Sequence, residues 1–280
     1  VHTPVRYAWD QMHAYLRHSA LARRGLGPLI RWQLHRLRQW DQLSGQRPDQ
    51  LIANSRFTAA RIRRTWGRSA VVVHPPVAVD RFRWDQPRDD VYLCLCRLVP
   101  YKRVDVVVEA FNRARLPLVV IGDGPERARL EALAGPTVRL LGRLSEVEVN
   151  GWLERCRAYV YAGLEDFGIA PVEAMAAGAP VIGLGQGGLL DTVRCLNGGD
   201  ANPTGLLFPE QSVDCLQAAL EAFEADRLWR RLPAESLRRW AEQFSPDLFR
   251  LRMAAVIEQA WGRHRRELQR RSGPLPMPLG

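Results

Sequence analysis

The chain has 280 residues, 46% of them hydrophobic, enough for one good core and part of a second. No apolar run approaches the ~20 residues of a membrane span, and no secretory signal is read at the start. The net charge of +10 is concentrated at the ends, with eight arginines against three acids in residues 1–50 and six against two in residues 251–280.

Such ends suit an anionic membrane or a pyrophosphate-linked lipid, or simply a solvated arginine-rich surface; no recognition motif supports nucleic acid. The cysteines, Cys94, Cys96, Cys156, Cys195 and Cys215, form no CxxC pair. They read as reduced thiols of a cytoplasmic protein rather than a zinc site or disulfide framework. Among 40 basic residues the one lysine is Lys102. A lysine retained where arginine is used everywhere else suggests a position that needs a compact ammonium.

Residues 1–50 show helical periodicity, with Leu26, Leu29, Ile30, Leu34, Leu37 and Leu43 on one face and Arg31, Arg36 and Arg38 mostly off it. That face is either docked packing or a membrane-surface element. A short strand at 51–54, a helix at 57–66 ending at Gly67 and a strand at 70–73 follow, and His74-Pro75-Pro76 stops the last. Dense proline and charge mark residues 74–90 as a linker.

From residue 91 apolar, β-branched strands (91–96, 118–121, 138–141, 158–161, 181–184 and 205–208) alternate with helices (104–115, 125–134, 145–155, 171–177 and 189–196). The pattern predicts an α/β fold with a parallel, doubly wound sheet, whose ligands sit at the carboxyl ends of the strands. Helices run on to about residue 243, a long helix spans 246–271, and the proline-rich residues 272–280 read as a loose tail.

The densest chemistry lies in residues 163–182, GLEDFGIAPVEAMAAGAPVI. A strand end leads into a glycine-permissive loop and then a helix with Pro171 in its first turn. Glu165 in the loop and Glu173 on the helix can line one pocket, with unpaired amides of Phe167, Gly168 and Ile169 between them. Two solvated glutamates beside a helix start would look the same. Gly187 and Gly188 open a second glycine-rich strand-to-helix turn.

The Glu165-(seven residues)-Glu173 spacing, the following GGLLDTV and the later PTGLLFPEQ resemble the retaining glycosyltransferases of family 4, more narrowly their bacterial mannosyltransferase-like branch. The resemblance implies a GT-B type architecture: a complete C-terminal Rossmann-like donor domain at 91–243, the tail of an N-terminal Rossmann-like acceptor domain at 1–73, the linker at 74–90 and a helix at 244–271 crossing back to the first domain. By that reading the chain is truncated at its start.

It also implies transfer of a hexose, mannose from GDP-mannose, to a lipid-linked (polyprenyl) or polysaccharide acceptor, with retained configuration, no obligatory metal and peripheral contact with the inner face of the cell membrane. Arg97 and Lys102, with Gly187 and Gly188, would hold the donor diphosphate. Glu165 and the Phe167, Gly168 and Ile169 segment would hold the sugar, Glu173 the ribose, Arg143 and Leu144 the base edge, and His2 the reacting face. His13, His18, His35, His74 and His264 read as surface or packing residues. Cys96 stands where the family usually has glycine, and Asp191 where it commonly has glutamate, which shortens that carboxylate's reach. Two other readings stay open: a sugar-nucleotide binding fragment without turnover, and an arginine-rich nucleic-acid binder.

Overall fold

The computed structural model describes residues 1–9, 12, 27–199 and 202–271. Leu26, His13, His18 and the expected tail at 272–280 lie outside the described residues. The chain divides into two compact units: Val1–Ala53, Ala59–Val73 and Asp247–Gly280 form the first, and Asn54–Thr58 with His74–Pro246 form the second.

The first unit holds helix α1 (Gly27–Gln46), strand β1 (Ile52–Ala53), helix α2 (Arg56–Trp66) from Ala59 onward and strand β2 (Val71–Val72), and β1 pairs with β2 in parallel. Its small core gathers Leu51, Ala53, Ile62 and Trp66. The leucine periodicity of α1 does not mark a core face here, since Leu29 and Leu43 are exposed while Asp41 and Gly45 are buried. The reason is Trp66, whose indole N–H donates to Asp41 at 2.8 Å, as does that of Trp9. Gly45 lies so close to the Trp66 ring that an added Cβ would stand 2.5 Å from it. Polar and small residues, rather than the leucines, therefore dock this helix.

The second unit is built on six parallel strands: β3 (Tyr92–Leu95), β4 (Leu118–Ile121), β5 (Val138–Gly142), β6 (Ala158–Tyr161), β7 (Val181–Leu184) and β8 (Gly205–Phe208). Their spatial order is β5-β4-β3-β6-β7-β8, so the chain winds outward from β3 to one edge and then returns to start the other half at β6. Buried faces on both sides explain the apolar runs.

The two-residue period sends Tyr92, Cys94, Ala158 and Val160 to one layer, with Phe111 of α3 (Val104–Ala114) and Leu216, Leu220 and Phe223 of α8 (Val213–Ala225). Leu93, Tyr159 and Tyr161 face the other layer, with Leu153 of α5 (Glu146–Arg155), Val172 and Met175 of α6 (Ile169–Ala176) and Leu237 of α9 (Ala234–Ala241). Ser145 caps α5 with a reciprocal bond to Glu148. Helix α4 (Arg127–Leu133) is shorter than expected, and α10 spans Pro246–Arg271.

Two expectations change. Residues 74–90 are packed into the second unit: Val77, Val79 and Phe82 are buried in the second layer, Val77 N donates to Phe244 O at 2.8 Å, and Arg83 pairs with Glu154 at 3.1 Å. The helix expected over 189–196 stops early, as α7 (Leu189–Thr192). Beyond it Val193 is extended, Arg194 N donates to Thr204 Oγ1 at 2.9 Å, and Cys195 bridges to Gly205. Pairing with the edge strand wins there over local helix propensity.

Candidate active site

Because β3 and β6 are neighbours whose connections leave toward opposite halves of the sheet, their carboxyl ends form its switch point, the usual ligand position in open α/β sheets. The loop after β3 carries Arg97 and Lys102, and the loop after β6 carries Glu165 to Gly168. A 3-10 turn, Pro100–Lys102, presents the lysine. It ends on Arg103 at φ +52°, a left-handed conformation uncommon outside glycine.

Lys102 Nζ pairs with Glu165 Oε1, and Tyr161 OH donates to the same oxygen at 2.5 Å. The ammonium also lies 5.5 Å from the ring centroids of Tyr101 and Tyr161. Lys102 and Glu165 side chains are 15% and 21% exposed, so the pair is largely withdrawn from solvent yet reachable. Burial, then the Glu165 charge and its hydrogen bond, raise the Tyr161 phenol well above its ordinary value, keeping it a neutral donor. Arg97 is exposed, and its guanidinium has no partner among the described residues.

Between the two glutamates the chain turns at Gly168, φ +95°, into α6. The amides of Phe167, Gly168 and Ile169 donate to no partner among the described residues, as the open first turn of a helix leaves them. The Phe167 side chain is buried and Ile169 is half exposed.

Glu173 accepts from Arg81 at 2.6 Å, and the same guanidinium reaches Glu146 at 2.6 Å. Burial raises the Glu173 carboxyl, Arg81 pulls it back, and Glu146 adds to the rise.

The glycines at 187 and 188 serve packing in this structure. Gly188 N donates to Glu165 O at 2.8 Å, and an added Cβ on Gly188 would lie 2.4 Å from Phe167 Cα. Gly187, at φ +70°, would place a Cβ 2.5 Å from Glu165 O. Asp191 turns inward: it accepts from Arg56 N at 2.7 Å and Arg56 Nε at 2.8 Å, and His74 Nε2 lies 3.0 Å from its Oδ2.

The fold thus brings together Lys102, Glu165, Phe167, Gly168, Gly187 and Gly188. Arg143, exposed, and Leu144, half-buried, follow β5 at the sheet edge, and His2 belongs to the first unit. Sequence reasoning missed Tyr161, Arg56 and His74. His74 is 117 residues from Asp191 and Arg56 is 135 from it, so no local period marks them. The halt of a strand at His74-Pro75-Pro76 was the one available signal. Among the described residues no three His, Cys, Asp or Glu side chains gather as a metal site, and no helix is long and apolar enough to cross a membrane.

The family model described as "Glycosyl transferases group 1" matches residues 79–244. A GDP-mannose-dependent alpha-(1-6)-phosphatidylinositol monomannoside mannosyltransferase of Mycolicibacterium smegmatis is 30% identical over 251 residues, which cover 76% of this chain and 61% of the relative. A GDP-mannose-dependent alpha-mannosyltransferase of the same organism is 30% identical over 201 residues, covering 67% of this chain and 52% of its own length. The chain therefore spans between half and two thirds of these relatives. Among solved structures, sucrose-phosphate synthase from Thermosynechococcus elongatus superposes with a TM-score of 0.69 at 23% identity, covering 81% of this chain and 62% of that one. Anabaena HepE, solved in complex with UDP-glucose, gives 0.68 at 17% identity, with 80% and 68% covered.

Proposed function

Because the chain belongs to the glycosyl transferases group 1 family, we propose that it moves a hexose from a nucleoside-diphosphate sugar to a glycan or lipid-linked acceptor with retained anomeric configuration. Its second unit is a Rossmann-like domain of the GT-B type. The observation that carries the proposal is the chain's one lysine, paired with Glu165 where the strand order reverses.

In the reaction the bond from the anomeric carbon to the leaving phosphate oxygen breaks, the acceptor hydroxyl oxygen bonds to that carbon and gives its proton to the departing phosphate, and negative charge grows on the diphosphate as it leaves. Fixed cations at that place lower the barrier. Lys102 and Arg97 are those cations, and the Gly187-Gly188 turn, packed on the Glu165–Phe167 loop, supports the carboxylate that faces Lys102. The ion pair with Glu165 holds the ammonium in place until the donor arrives. Glu165 Oε2, which has no partner among the described residues, and the open amides of Phe167 to Ile169 take the sugar hydroxyls. Glu173 takes the ribose, Arg143 and Leu144 the base edge, and His2 the reacting face. Mannose from GDP-mannose is the donor suggested by the names of the relatives. The arginine-rich ends are our candidates for contact with an anionic membrane or a polyprenyl-linked acceptor.

Calorimetric titration of GDP, UDP, GDP-mannose and UDP-glucose, beside Lys102→Ala and Glu173→Ala variants, tests the proposal. Selective binding of one nucleotide, weakened in both variants, is expected. A folded chain that binds none of the four refutes the donor site. Binding without turnover identifies a donor-binding unit.

A further inference from the structure

Asp191 is an enclosed charge that the donor site as described leaves without a role. Its side chain is 2% exposed. Burial alone would push its carboxyl up, but the His74 contact and the two Arg56 bonds together hold it below the ordinary aspartate range, so it stays ionised. Arg56 and His74 each stand just past a point where the chain enters the second unit.

What His74 touches gives the arrangement its meaning. Its ring stacks on Phe167, with centroids 5.6 Å apart and planes at 27°, and Phe244 meets both rings edge-on at 5.4 and 5.5 Å. Phe167 is the first of the three residues with open amides.

From the other side the same loop rests on Gly188, whose backbone lies against Phe167 and whose N–H holds Glu165 O. Gly188 is tied in turn to Asp191, since Asp191 N donates to Gly188 O at 3.0 Å. Asp191 thus braces the Glu165–Gly168 loop twice, through His74 on one side and through the start of α7 on the other. The bracing matters because amides without partners in the chain have no hydrogen bond of their own to fix their direction.

Resting on the donor-site reading above, we propose that Asp191, acting through His74, is a positioning residue that aims the Phe167, Gly168 and Ile169 amides at the hexose of the donor. The pair therefore governs how much a nucleoside-diphosphate sugar gains over the bare nucleoside diphosphate. The diphosphate itself is held by Lys102 and Arg97, which neither Asp191 nor His74 contacts.

The test uses the 280-residue chain with Asp191→Asn and His74→Gln. Hydrogen exchange of the Gly188 amide, which donates to Glu165 O, is measured without ligand, and calorimetry compares GDP with GDP-mannose and UDP with UDP-glucose. Loss of a charge-assisted bond should speed exchange of that amide about tenfold and weaken the preferred nucleotide sugar about tenfold. Affinity for the matching nucleoside diphosphate should stay within about twofold.

Unchanged exchange at Gly188 overturns the proposal. So does an equal loss for nucleotide and nucleotide sugar accompanied by faster exchange in β3 and β7, which would mark a merely structural role. A wild-type chain that binds no nucleotide removes the donor-site reading, while the exchange measurement still decides whether Asp191 holds the loop. Should Asp191→Asn not fold, His74→Gln, which leaves Arg56 on Asp191, carries the same test.

Discussion

Replacing Gly188 with alanine separates steric from conformational effects at the centre of the site. Gly188 sits at φ −70° and ψ −17°, a conformation alanine adopts freely, so the backbone itself accepts the change. The added Cβ, however, would stand 2.4 Å from Phe167 Cα and 2.5 Å from both Asp166 C and Asp166 O. Ordinary carbon contacts fall at about 3.5–4.0 Å, so the Glu165–Phe167 loop must move by roughly 1 Å. It cannot do so without disturbing Glu165 on Lys102 and Phe167 under His74.

Overpacking of this kind costs about 1–3 kcal/mol. For a unit of this size that is a fall in Tm of about 2–12 °C. Gly151→Ala serves as the control, because it lies inside α5 with nothing within 4 Å of its added Cβ. It should stabilise by about 0.5–1 kcal/mol through helix entropy. Differential scanning calorimetry of the three proteins reads both effects. If Gly188→Ala melts with the wild type, the packing of the 187–188 turn against the loop is not as described.

Further outcomes concern charge and thiols. Glu173 is raised chiefly by burial, with Arg81 opposing. Its protonated form is therefore favoured in the fold, and the stability it lends is present below the ordinary glutamate value of 4.5 and lost as pH rises through the raised value. Arg81→Ala removes the opposing charge, so its stability deficit should be small at pH 4 and reach about 1–2 kcal/mol at pH 7; equal deficits in thermal melts at the two pH values would sink this account. Cys94 and Cys156 are fully buried, and burial pushes the Cys156 thiol up to about 12 against the pull of Arg88. Iodoacetamide at pH 8 should label the half-buried Cys96, Cys195 and Cys215 in the folded chain and reach Cys156 only after denaturation; equal labelling of Cys156 and Cys215, followed by mass spectrometry, would contradict the packing.

Much of the second unit was legible in the sequence because its strands are buried on both faces. Leu118–Ile121, Ala158–Tyr161, Val181–Leu184 and Gly205–Phe208 match the expected ranges, each a short apolar run bounded by turn residues. The helix expected from residue 145 matches α5, whose start Ser145 and Glu148 fix through a bond closed within three residues. The Glu165 to Glu173 spacing and the solitary Lys102 marked the candidate site, since both are local signals. Helical periodicity misled in α1, where the indoles of Trp9 and Trp66 dock the helix through Asp41, an acceptor no hydrophobic pattern would select.

Local sequence by itself determined the strands, most helix starts and the two loops that carry charge, because capping, β-branching and glycine turns act over a few residues. The tertiary structure alone decided the strand order that places Lys102 against Glu165, 63 residues apart, and the enclosure of Asp191 by Arg56 and His74. It also ended α7 at Thr192 by pairing the following residues with β8. Each of these is a contact between segments distant in the chain, whose energy comes from burial and charge compensation that no short window contains.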